Sequence, residues 1–592
     1  MRKVFLSLCL LPVIVSAQTT LRVNQVGYRC NDFKAAVYSG NVPAEELTFE
    51  LLSPEVGPAA IDSVVVTEPW APATSSARIY FSSTVRPGEY TLSTRHKKND
   101  AVLDVARVYI GDDAYSRFNL KELPLNYLRQ QRCGYNPFHK AHCHQHDGIV
   151  VLSDSLDGEY FDLTGGWHDA SDYLQYLPTT ANAVYQLFFA YRANPDAWAD
   201  EFDAAGDRGA NGVADILDEA RWGLDWLMKM NPRDSLYFNQ LAYDRDHRYV
   251  GVPQCDSTDY DFGPGKGRPA YPVSGRQYGL KKYKNRSTGE ASSVAKFASA
   301  FAIASEVYAP VDSAFAAELC RRAELAYQYA VAHPGASQTA PCSSPYFYEE
   351  DNWTDDTELA AAALSRLTGS MDRFAEALNY AGAERVTPWM GADTARHYQW
   401  YPFINLGHAE LASKSKIAAG YMREGLEKTA ARGRKNAFRY GIPFIWCSNN
   451  LAVAFVTQAM LYREITGDDS FLEDECAARD WLFGVNPWGQ TMIVMPDETV
   501  ASSPAEPHSA LVDITVNRRP GRDGLIGAVV DGPVYDGIFN KLWGVHLRRE
   551  DKFAPYQGRA VYHDDFSDYS TNEPTMDGTA SLAYMLLRLS GL

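Results

Sequence analysis

The sequence predicts a mainly α-helical protein with a small all-β module in front of it. Residues 18–111 contain short β-type runs separated by Pro, Gly and Asn turns at close spacing, the pattern of an all-β sandwich. In residues 112–592, apolar residues instead recur at helical spacing in about a dozen segments joined by long loops. We therefore expect a β-sandwich followed by one large helical domain.

The first residues, 1–17, have the features of an export signal. Arg2 and Lys3 form a basic start, an apolar run follows, and Ser16 and Ala17 fit a cleavage site. No later run approaches the roughly 18 apolar residues of a membrane span. We therefore expect a soluble protein that is exported to the periplasm or the extracellular space.

The β-sandwich prediction depends on five runs of strand length with turn residues between them. They read "KAAVYSG", "LTFELLS", "DSVVVTE", "ARIYFSS" and "GEYTLST". The helix prediction depends on longer segments with Ala- and Leu-rich faces, such as "NGVADILDEARWGLDWLMKM", "ASSVAKFASAFAIASEVY", "NLAVAFVTQAMLYREITG" and "DGTASLAYMLLRLSGL". The loops over 232–289 and 485–573 are longer than connection requires, so we expect functional residues there.

Charge and cysteine content narrow the function classes. Lys and Arg total 56 against 74 Asp and Glu, for a formal net charge of −18. This balance argues against nucleic acid or an anionic membrane as partner and fits a neutral substrate. Nine cysteines in 592 residues are too few for a disulfide scaffold.

The stretch "GGWHDASDY" places Asp169 and Asp172 on one loop, and "DYSTNEPTMDG" places Glu573 just before the final helix. Two carboxylates that hold a water, with a third carboxylic acid across a cleft, are the groups that an inverting glycosidase needs. Each residue alone has an ordinary alternative, because Asp and Glu are also common as helix caps and surface pairs.

Several motifs in order resemble glycoside hydrolase family 9, of which cellulases are typical. "GGWHDASDY" resembles the family's "GGWxDAGDY", "GVNPWGQT" its "GxNPxGxS", "PAEPHSA" its "PxxPHHR", and "DYSTNEPTMDGTASL" its "DYxxNE" signature. "LRVNQVGY" resembles the start of the immunoglobulin-like module that precedes the catalytic domain in one branch of the family. The resemblance implies an (α/α)6 barrel with Asp172 as general base, Asp169 as its partner in holding the water, and Glu573 as general acid.

The resemblance also indicates residues that bind the sugar. Trp446 in "IWCSNN" and His508 in "PAEPHSA" match cleft positions, whereas Trp167 and Tyr173 either line the cleft or pack beneath the loop. The second His and the Arg of the family's "PHHR" are replaced by Ser509 and Ala510, and Gly578 stands where the family often has Tyr. The catalytic carboxylates are therefore retained while the cleft has changed.

Cys133, Cys143, His144 and His168 offer two thiolates and two imidazoles, a ligand set that suits structural zinc. The spacing is not that of a zinc finger, and a Cys133–Cys143 disulfide is the alternative in an exported protein. Some members of the resembled family carry a structural zinc with this ligand set. Zinc at this place would tie the first helix of the domain to the loop that carries Asp169.

Asp355 and Asp356 in "EEDNWTDDTE" lie at the predicted start of a helix. Their oxygens could bind calcium, as at a similar acidic helix start in some relatives, but acidic residues also suit any helix N-terminus. Both interpretations remain open at the level of sequence.

Together these features predict an exported, inverting β-1,4-glucanase that acts on cellulose-like or related plant β-glucans, as an endo-acting monomer. One alternative is an exo-acting enzyme for short β-glucan or xyloglucan oligosaccharides. Another, from a different class, is a carbohydrate-binding protein without catalysis, but Asp169, Asp172 and Glu573 together argue against it.

Overall fold

The structure is a computed structural model that describes residues 19–343, 348–392, 401–496, 501–511 and 522–591. The predicted export signal lies outside these residues and stays a prediction. Within them, every helix is too short or too polar to cross a membrane.

The N-terminal module consists of eight strands in two antiparallel sheets of four strands each. The strands are β1 (Thr20–Arg22), β2 (Ala35–Gly40), β3 (Leu47–Ser53), β4 (Gly57–Ala59), β5 (Ser63–Thr67), β6 (Ser75–Tyr80), β7 (Gly88–His96) and β8 (Val102–Ile110). One sheet has the order β1-β2-β6-β5 and the other β4-β3-β7-β8. Alternate side chains such as Tyr90 and Leu92 in β7 point inward against Ile79 and Tyr38 of the facing sheet, and these residues belong to one core. The predicted all-β module is confirmed.

Helices dominate the rest of the described chain. They are α1 (Leu123–Gln131), α2 (Leu177–Ala193), α3 (Asp215–Met230), α4 (Asp244–His247), α5 (Ala291–Tyr308), α6 (Ser313–Ala332), α7 (Thr354–Thr368), α8 (Met371–Ala383), α9 (Pro388–Gly391), α10 (Leu406–Ala412), α11 (Lys416–Gly433), α12 (Ser448–Thr466), α13 (Leu472–Leu482), α14 (Arg522–Leu525), α15 (Asp536–Phe539) and α16 (Met576–Leu589).

Six of these helices contact one another in a cycle. Along the chain α2 contacts α5, α5 contacts α7, α7 contacts α10, α10 contacts α12 and α12 contacts α16, which returns to α2. Each of the six also packs against helices outside this cycle, most extensively α3 on α2, α6 on α5, α8 on α7, α11 on α10, α13 on α12 and α1 on α16. The domain therefore has an inner and an outer layer of helices.

The sequence of each helix fits its layer. Residues 291–305 of α5 and 448–462 of α12 are buried on every side, in keeping with their Ala-rich composition. In α6, by contrast, Leu319, Ala323 and Ala330 form a single buried stripe, and the opposite face, which carries Arg321 and Gln328, is exposed.

Short strands lie in the loops at the ends of the inner helices. They are β9 (Tyr135–Asn136), β10 (Ala141–His142), β11 (Ile149–Val150), β12 (Gln175–Tyr176), β13 (Phe238–Leu241), β14 (Pro269–Pro272), β15 (Val534–Tyr535) and β16 (Ala560–Val561). β12 follows the "GGWHDASDY" loop directly and pairs with β13, so the loop that precedes α2 is anchored to the long loop over 232–289.

Candidate functional site

The two segments that carry the predicted catalytic carboxylates meet at one end of the inner helices. Asp169 and Asp172 precede α2 and Glu573 precedes α16, and these two helices are neighbours. The amide of Met576 donates to the carbonyl of Asp169 at 2.9 Å, which joins the segments directly. Helix N-termini favour nearby negative charge, so both helices stabilise an acidic site here.

A cavity of about 410 Å³ opens where these segments meet. The carboxylates of Asp169, Asp172, Glu573 and Asp531 line it, together with the imidazoles of His247 and His508. Its remaining wall is largely aromatic and includes Tyr176, Tyr249, Tyr348, Trp446, Phe566 and Tyr569. Charged groups among aromatic faces form a surface suited to a sugar, which presents both hydroxyls and apolar ring faces.

Asp169 is the most enclosed of the three predicted catalytic groups. Its side chain is buried, and its Oδ2 accepts a hydrogen bond of 2.7 Å from the hydroxyl of Tyr348. Burial raises the pKa of Asp169 well above its usual range, and the neighbouring carboxylates of Asp577 and Asp172 raise it further. The hydrogen bond from Tyr348 fixes the orientation of the Asp169 carboxyl, which faces the cavity.

Asp172 is paired with a histidine that the sequence did not single out. Its Oδ1 accepts from the amide of Leu174 at 3.0 Å, and its Oδ2 lies 3.1 Å from Nε2 of His247. The His247 side chain is partly exposed, and the Asp172 carboxylate outweighs the loss of hydration in the cavity and raises the pKa of His247 to about 9. An imidazolium therefore lies beside Asp172 at neutral pH.

Glu573 faces the same cavity from the opposite segment. Its Oε1 accepts hydrogen bonds from the amide of Ser171, at 3.2 Å, and from the hydroxyl of Ser171. Burial raises the pKa of Glu573, His508 opposes this effect, and Asp172 adds to it. A carboxyl whose protonated form is favoured thus shares a cavity with the ion-paired Asp172, an arrangement suited to general acid and general base catalysis.

Trp167 and Tyr173 are not among the residues that line the cavity, so the structure favours the second of the two alternatives, packing beneath the loop. Trp167 is fully buried and its Nε1 donates to Glu219 at 2.8 Å. Tyr173 is also buried, and its hydroxyl donates to the carbonyl of Gly251. Both rings pack beneath the loop. The indole N–H of Trp167 and the hydroxyl of Tyr173 can be buried there because each has a hydrogen-bond partner in the protein.

Trp446 and His508, the other two predicted sugar contacts, do line the cavity. The Trp446 ring lies 5.9 Å from that of Tyr569, and His508 Nδ1 bonds to the carbonyl of Phe566. Ala510, which stands at the position of the family's Arg, is part of the wall as well. The position that would have extended a cation into the cleft therefore presents only a methyl group.

The four predicted zinc ligands converge. Cys133 Sγ lies 3.5 Å from His144 Nδ1 and 4.0 Å from Cys143 Sγ, while His168 Nε2 lies 3.7 Å from Cys143 Sγ and 3.3 Å from His144 Nδ1. A tetrahedral zinc with bonds of about 2.3 Å to sulfur and 2.0–2.1 Å to nitrogen requires ligand atoms about 3.3 to 3.8 Å apart. The residues present therefore fit zinc. Both cysteines are free thiols, so the alternative disulfide is not formed.

Further contacts orient this cluster. His144 Nε2 lies 3.0 Å from Asp256 Oδ2, the carboxylate-to-histidine contact that commonly orients a metal-bound imidazole. The amide of His168 donates to the carbonyl of Gln131 at the end of α1, at 2.8 Å. The cluster thus connects α1, the β9–β10 hairpin and the loop that carries Asp169.

The acidic pair at the start of α7 does not fit calcium. Lys296 of α5 places its buried ammonium 2.7 Å from Asp356 and 2.9 Å from Glu350, and Asp355 accepts a hydrogen bond of 2.9 Å from Asn352. The lysine already neutralises the oxygens that a divalent cation would need. The prediction of calcium at Asp355 and Asp356 is not supported by this arrangement.

Family models cover most of the chain. The model described as "Glycosyl hydrolase family 9" matches residues 119–586, and that described as "Cellulase N-terminal ig-like domain" matches residues 16–99. The two matches fall on the helical domain and on the β-module, respectively.

The individual relatives share only about a quarter of their residues with this chain. Endoglucanase C of Cellulomonas fimi is 26% identical over 453 residues, which cover 72% of this chain and 37% of that protein. The xyloglucan-specific endo-β-1,4-glucanase BoGH9A of Bacteroides ovatus is 22% identical over 617 residues, which cover 97% of this chain and 94% of that protein. Against Endoglucanase 15 of Arabidopsis thaliana, the chain spans only 48% of the relative's length.

The fold is shared with solved proteins. The crystal structure of a metagenome-derived glycoside hydrolase family 9 endoglucanase superposes with a TM-score of 0.72 at 25% identity. The superposition covers 97% of this chain and 99% of that one, so both the β-module and the helical domain take part.

Proposed function

Because the chain belongs to glycosyl hydrolase family 9, we propose that it is an exported, inverting endo-β-1,4-glucanase for cellulose-like or related plant β-glucans. The observation that carries the proposal is the meeting of Asp172 and Glu573 in one aromatic cavity. A neutral polysaccharide suits both the acidic surface charge of the chain and the aromatic walls.

In the proposed reaction a water attacks the anomeric carbon of a β-linked sugar from the face opposite the glycosidic oxygen. Asp172 accepts a proton from this water, and Asp169, held by Tyr348, helps to orient it. Glu573 donates its proton to the glycosidic oxygen, which leaves as the hydroxyl of the released chain. The bond to water forms while the glycosidic bond breaks, so the new reducing end has the α configuration.

We propose that the helical domain is an (α/α)6 barrel. Support comes from the cycle of α2, α5, α7, α10, α12 and α16, which is packed against a second layer of helices. In such a barrel the loops at one end of the inner helices build the cleft, which is where Asp172 and Glu573 lie.

We further propose a structural zinc at Cys133, Cys143, His144 and His168. Bound there, zinc would supply only cross-linking, because four protein ligands leave no coordination position for a reacting water. The protein residues do the rest: His168 directly precedes Asp169, so fixing the imidazole also fixes the start of the catalytic loop.

An exo-acting enzyme is the second candidate, and one feature of the cavity favours it. The long loop over 232–289 contributes His247, Tyr249 and Val250 to the wall of the cavity. A shorter loop would leave this side of the cleft open. Family membership argues against the third alternative, a non-catalytic binding protein.

Product profiling over time on soluble β-1,4-glucan chains tests the proposal. Endo action predicts an early fall in viscosity and a range of oligosaccharides, whereas exo action predicts one short product from the start. Asp172→Asn and Glu573→Gln serve as inactive controls, and absence of hydrolysis on β-glucans and xyloglucan alike would contradict the proposed activity.

A further inference from the structure

Ser171 is a departure from the family signature that touches the proposed acid. The family's "GGWxDAGDY" has Gly where this chain, in "GGWHDASDY", has Ser171. The side-chain hydroxyl and the backbone amide of Ser171 both donate to Oε1 of Glu573, the amide at 3.2 Å. Among the described residues, these are the hydrogen bonds that the carboxyl of Glu573 accepts. Glycine at this position would provide the amide bond alone.

Two donors on one oxygen determine where the proton of the acid resides. A carboxyl oxygen has two lone-pair sites, and on Oε1 both are occupied by donors from Ser171. While both Ser171 groups donate to Oε1, a proton on neutral Glu573 resides on Oε2. Once that proton has been transferred, the same two donors stabilise the carboxylate that remains.

We propose that Ser171 is a positioning residue for the general acid: its hydroxyl fixes Oε1 of Glu573 and directs the transferable proton, on Oε2, to the glycosidic oxygen. The inference rests on the proposed role of Glu573 as acid. It adds a device that the family signature lacks, supplied by the same loop that carries Asp172.

The charged groups around Glu573 determine what removal of the hydroxyl does. Asp172 faces it from the loop before α2, His508 and Asp531 from the segments before α16, and His247 from the long loop. Substitution of Ser171 leaves all four of these charged groups in place. A donor that favours the ionised carboxylate is then missing, so the pKa of Glu573 should rise.

The experiment compares Ser171→Ala with Ser171→Thr, which keeps a hydroxyl, in the full chain. For Ser171→Ala we expect the alkaline limb of the kcat/KM profile on cello-oligosaccharides to move up by about one pH unit. We also expect kcat to fall about tenfold on these substrates with little change in KM, and to fall less on aryl glycosides with activated leaving groups. Ser171→Thr should restore both the limb and kcat.

Several results would overturn the inference. An unshifted alkaline limb in Ser171→Ala, equal losses on both substrate types, or a Thr variant that behaves like Ala would each do so. A rise in KM alone would show instead that the hydroxyl contacts the sugar. If Ser171→Ala does not fold, Ser171→Gly, which restores the family residue, replaces it with the same expected shift.

The outcome for Glu573→Gln separates this inference from the proposed function. An inactive Glu573→Gln together with an unchanged Ser171→Ala profile refutes only the role of Ser171. A fully active Glu573→Gln refutes the acid assignment, and with it both proposals.

Discussion

The carboxylates around the cavity and those at the start of α7 form two acidic clusters built from the same residue types. The cavity cluster comprises Asp169, Asp172 and Glu573, and the α7 cluster comprises Glu350, Asp355 and Asp356. Lys296 places a buried ammonium within hydrogen-bond distance of two members of the α7 cluster. The cavity cluster instead faces imidazoles and open space.

The difference lies in the kind of counter-charge. Burial alone would lower the pKa of Lys296, but Asp356 and Glu350 outweigh it and raise that pKa, so the lysine remains charged throughout the physiological range. The positive partner of Asp172 is His247, whose imidazole titrates within a range that an enzyme experiences. A cluster that is paired with a permanently charged lysine stabilises the fold, whereas a cluster with a titratable partner and solvent access can exchange protons.

Catalysis should respond more strongly to substitutions in the cavity cluster than any other property discussed below. Asp172→Asn should lower kcat by about 10⁴-fold, since the base is removed, and should lower the melting temperature only by the small contribution of the Asp172–His247 pair. Asp355→Asn in the α7 cluster is the matched control and should keep most activity per folded molecule. An active Asp172→Asn beside an inactive Asp169→Asn would show that the base is Asp169.

Glu573→Gln should lower kcat by roughly 10²- to 10⁴-fold on substrates with poor leaving groups. The loss should be much smaller on activated aryl glycosides, because their leaving oxygens need little protonation. Kinetics on paired substrates measures the contrast, and equal losses on both would remove Glu573 from the acid role.

In the α7 cluster the effect should be on stability instead. Lys296→Met leaves Asp356 and Glu350 buried without a cation and should lower the free energy of unfolding by about 3–5 kcal/mol. Lys416→Met, at an exposed position at the start of α11, should change it by no more than about 0.5 kcal/mol. Denaturant unfolding measures both, and a Lys296 variant as stable as the Lys416 variant would contradict the structural role.

The proposed zinc site can be compared with these two clusters. Its two thiolates would be balanced by a metal ion rather than by a lysine or a histidine. Wild-type protein supplied with zinc should hold one ion per chain, and Asp256→Asn should weaken binding about 10- to 100-fold because His144 loses its orienting carboxylate. Competition with a chromophoric chelator measures the affinity. A wild type that stays free of metal would contradict the proposed site.

The smallest effect concerns the Asp172–His247 pair itself. The pKa of His247 is raised to about 9 in the folded protein, so the pair stabilises the fold fully below about pH 6.5 and loses this contribution as pH rises through about 9. In Asp172→Asn the pKa of His247, followed by NMR, should fall towards its ordinary value. An unchanged pKa would mean that another group holds the charge.

The sequence was most informative where the residues of a site lie close together on the chain. Asp169 and Asp172 share a nine-residue loop, and three of the four zinc ligands lie within twelve residues of one another. The two aspartates approach Glu573 because α2 contacts α16. The order of the motifs implied this contact, since the resembled family has a barrel in which these helices are neighbours.

Other parts of the site could not be read from the sequence, because they depend on partners distant in the chain. His247 ends α4, a single helical turn within the long connection over 232–289, and only the length of that connection suggested a function. No pattern tells which side of a loop an aromatic ring faces, so the burial of Trp167 against Glu219 was not predictable. The acidic pair at the start of α7 resembled a cation site because its partner Lys296 lies about 60 residues earlier in the chain, on another helix, and the local sequence does not show it.

The configuration of the first product distinguishes an inverting from a retaining mechanism. We expect that hydrolysis of a β-1,4-linked cello-oligosaccharide, followed by proton NMR from the first minutes, releases the α-anomer at the new reducing end before mutarotation. Initial release of the β-anomer would contradict a single displacement by water between Asp172 and Glu573.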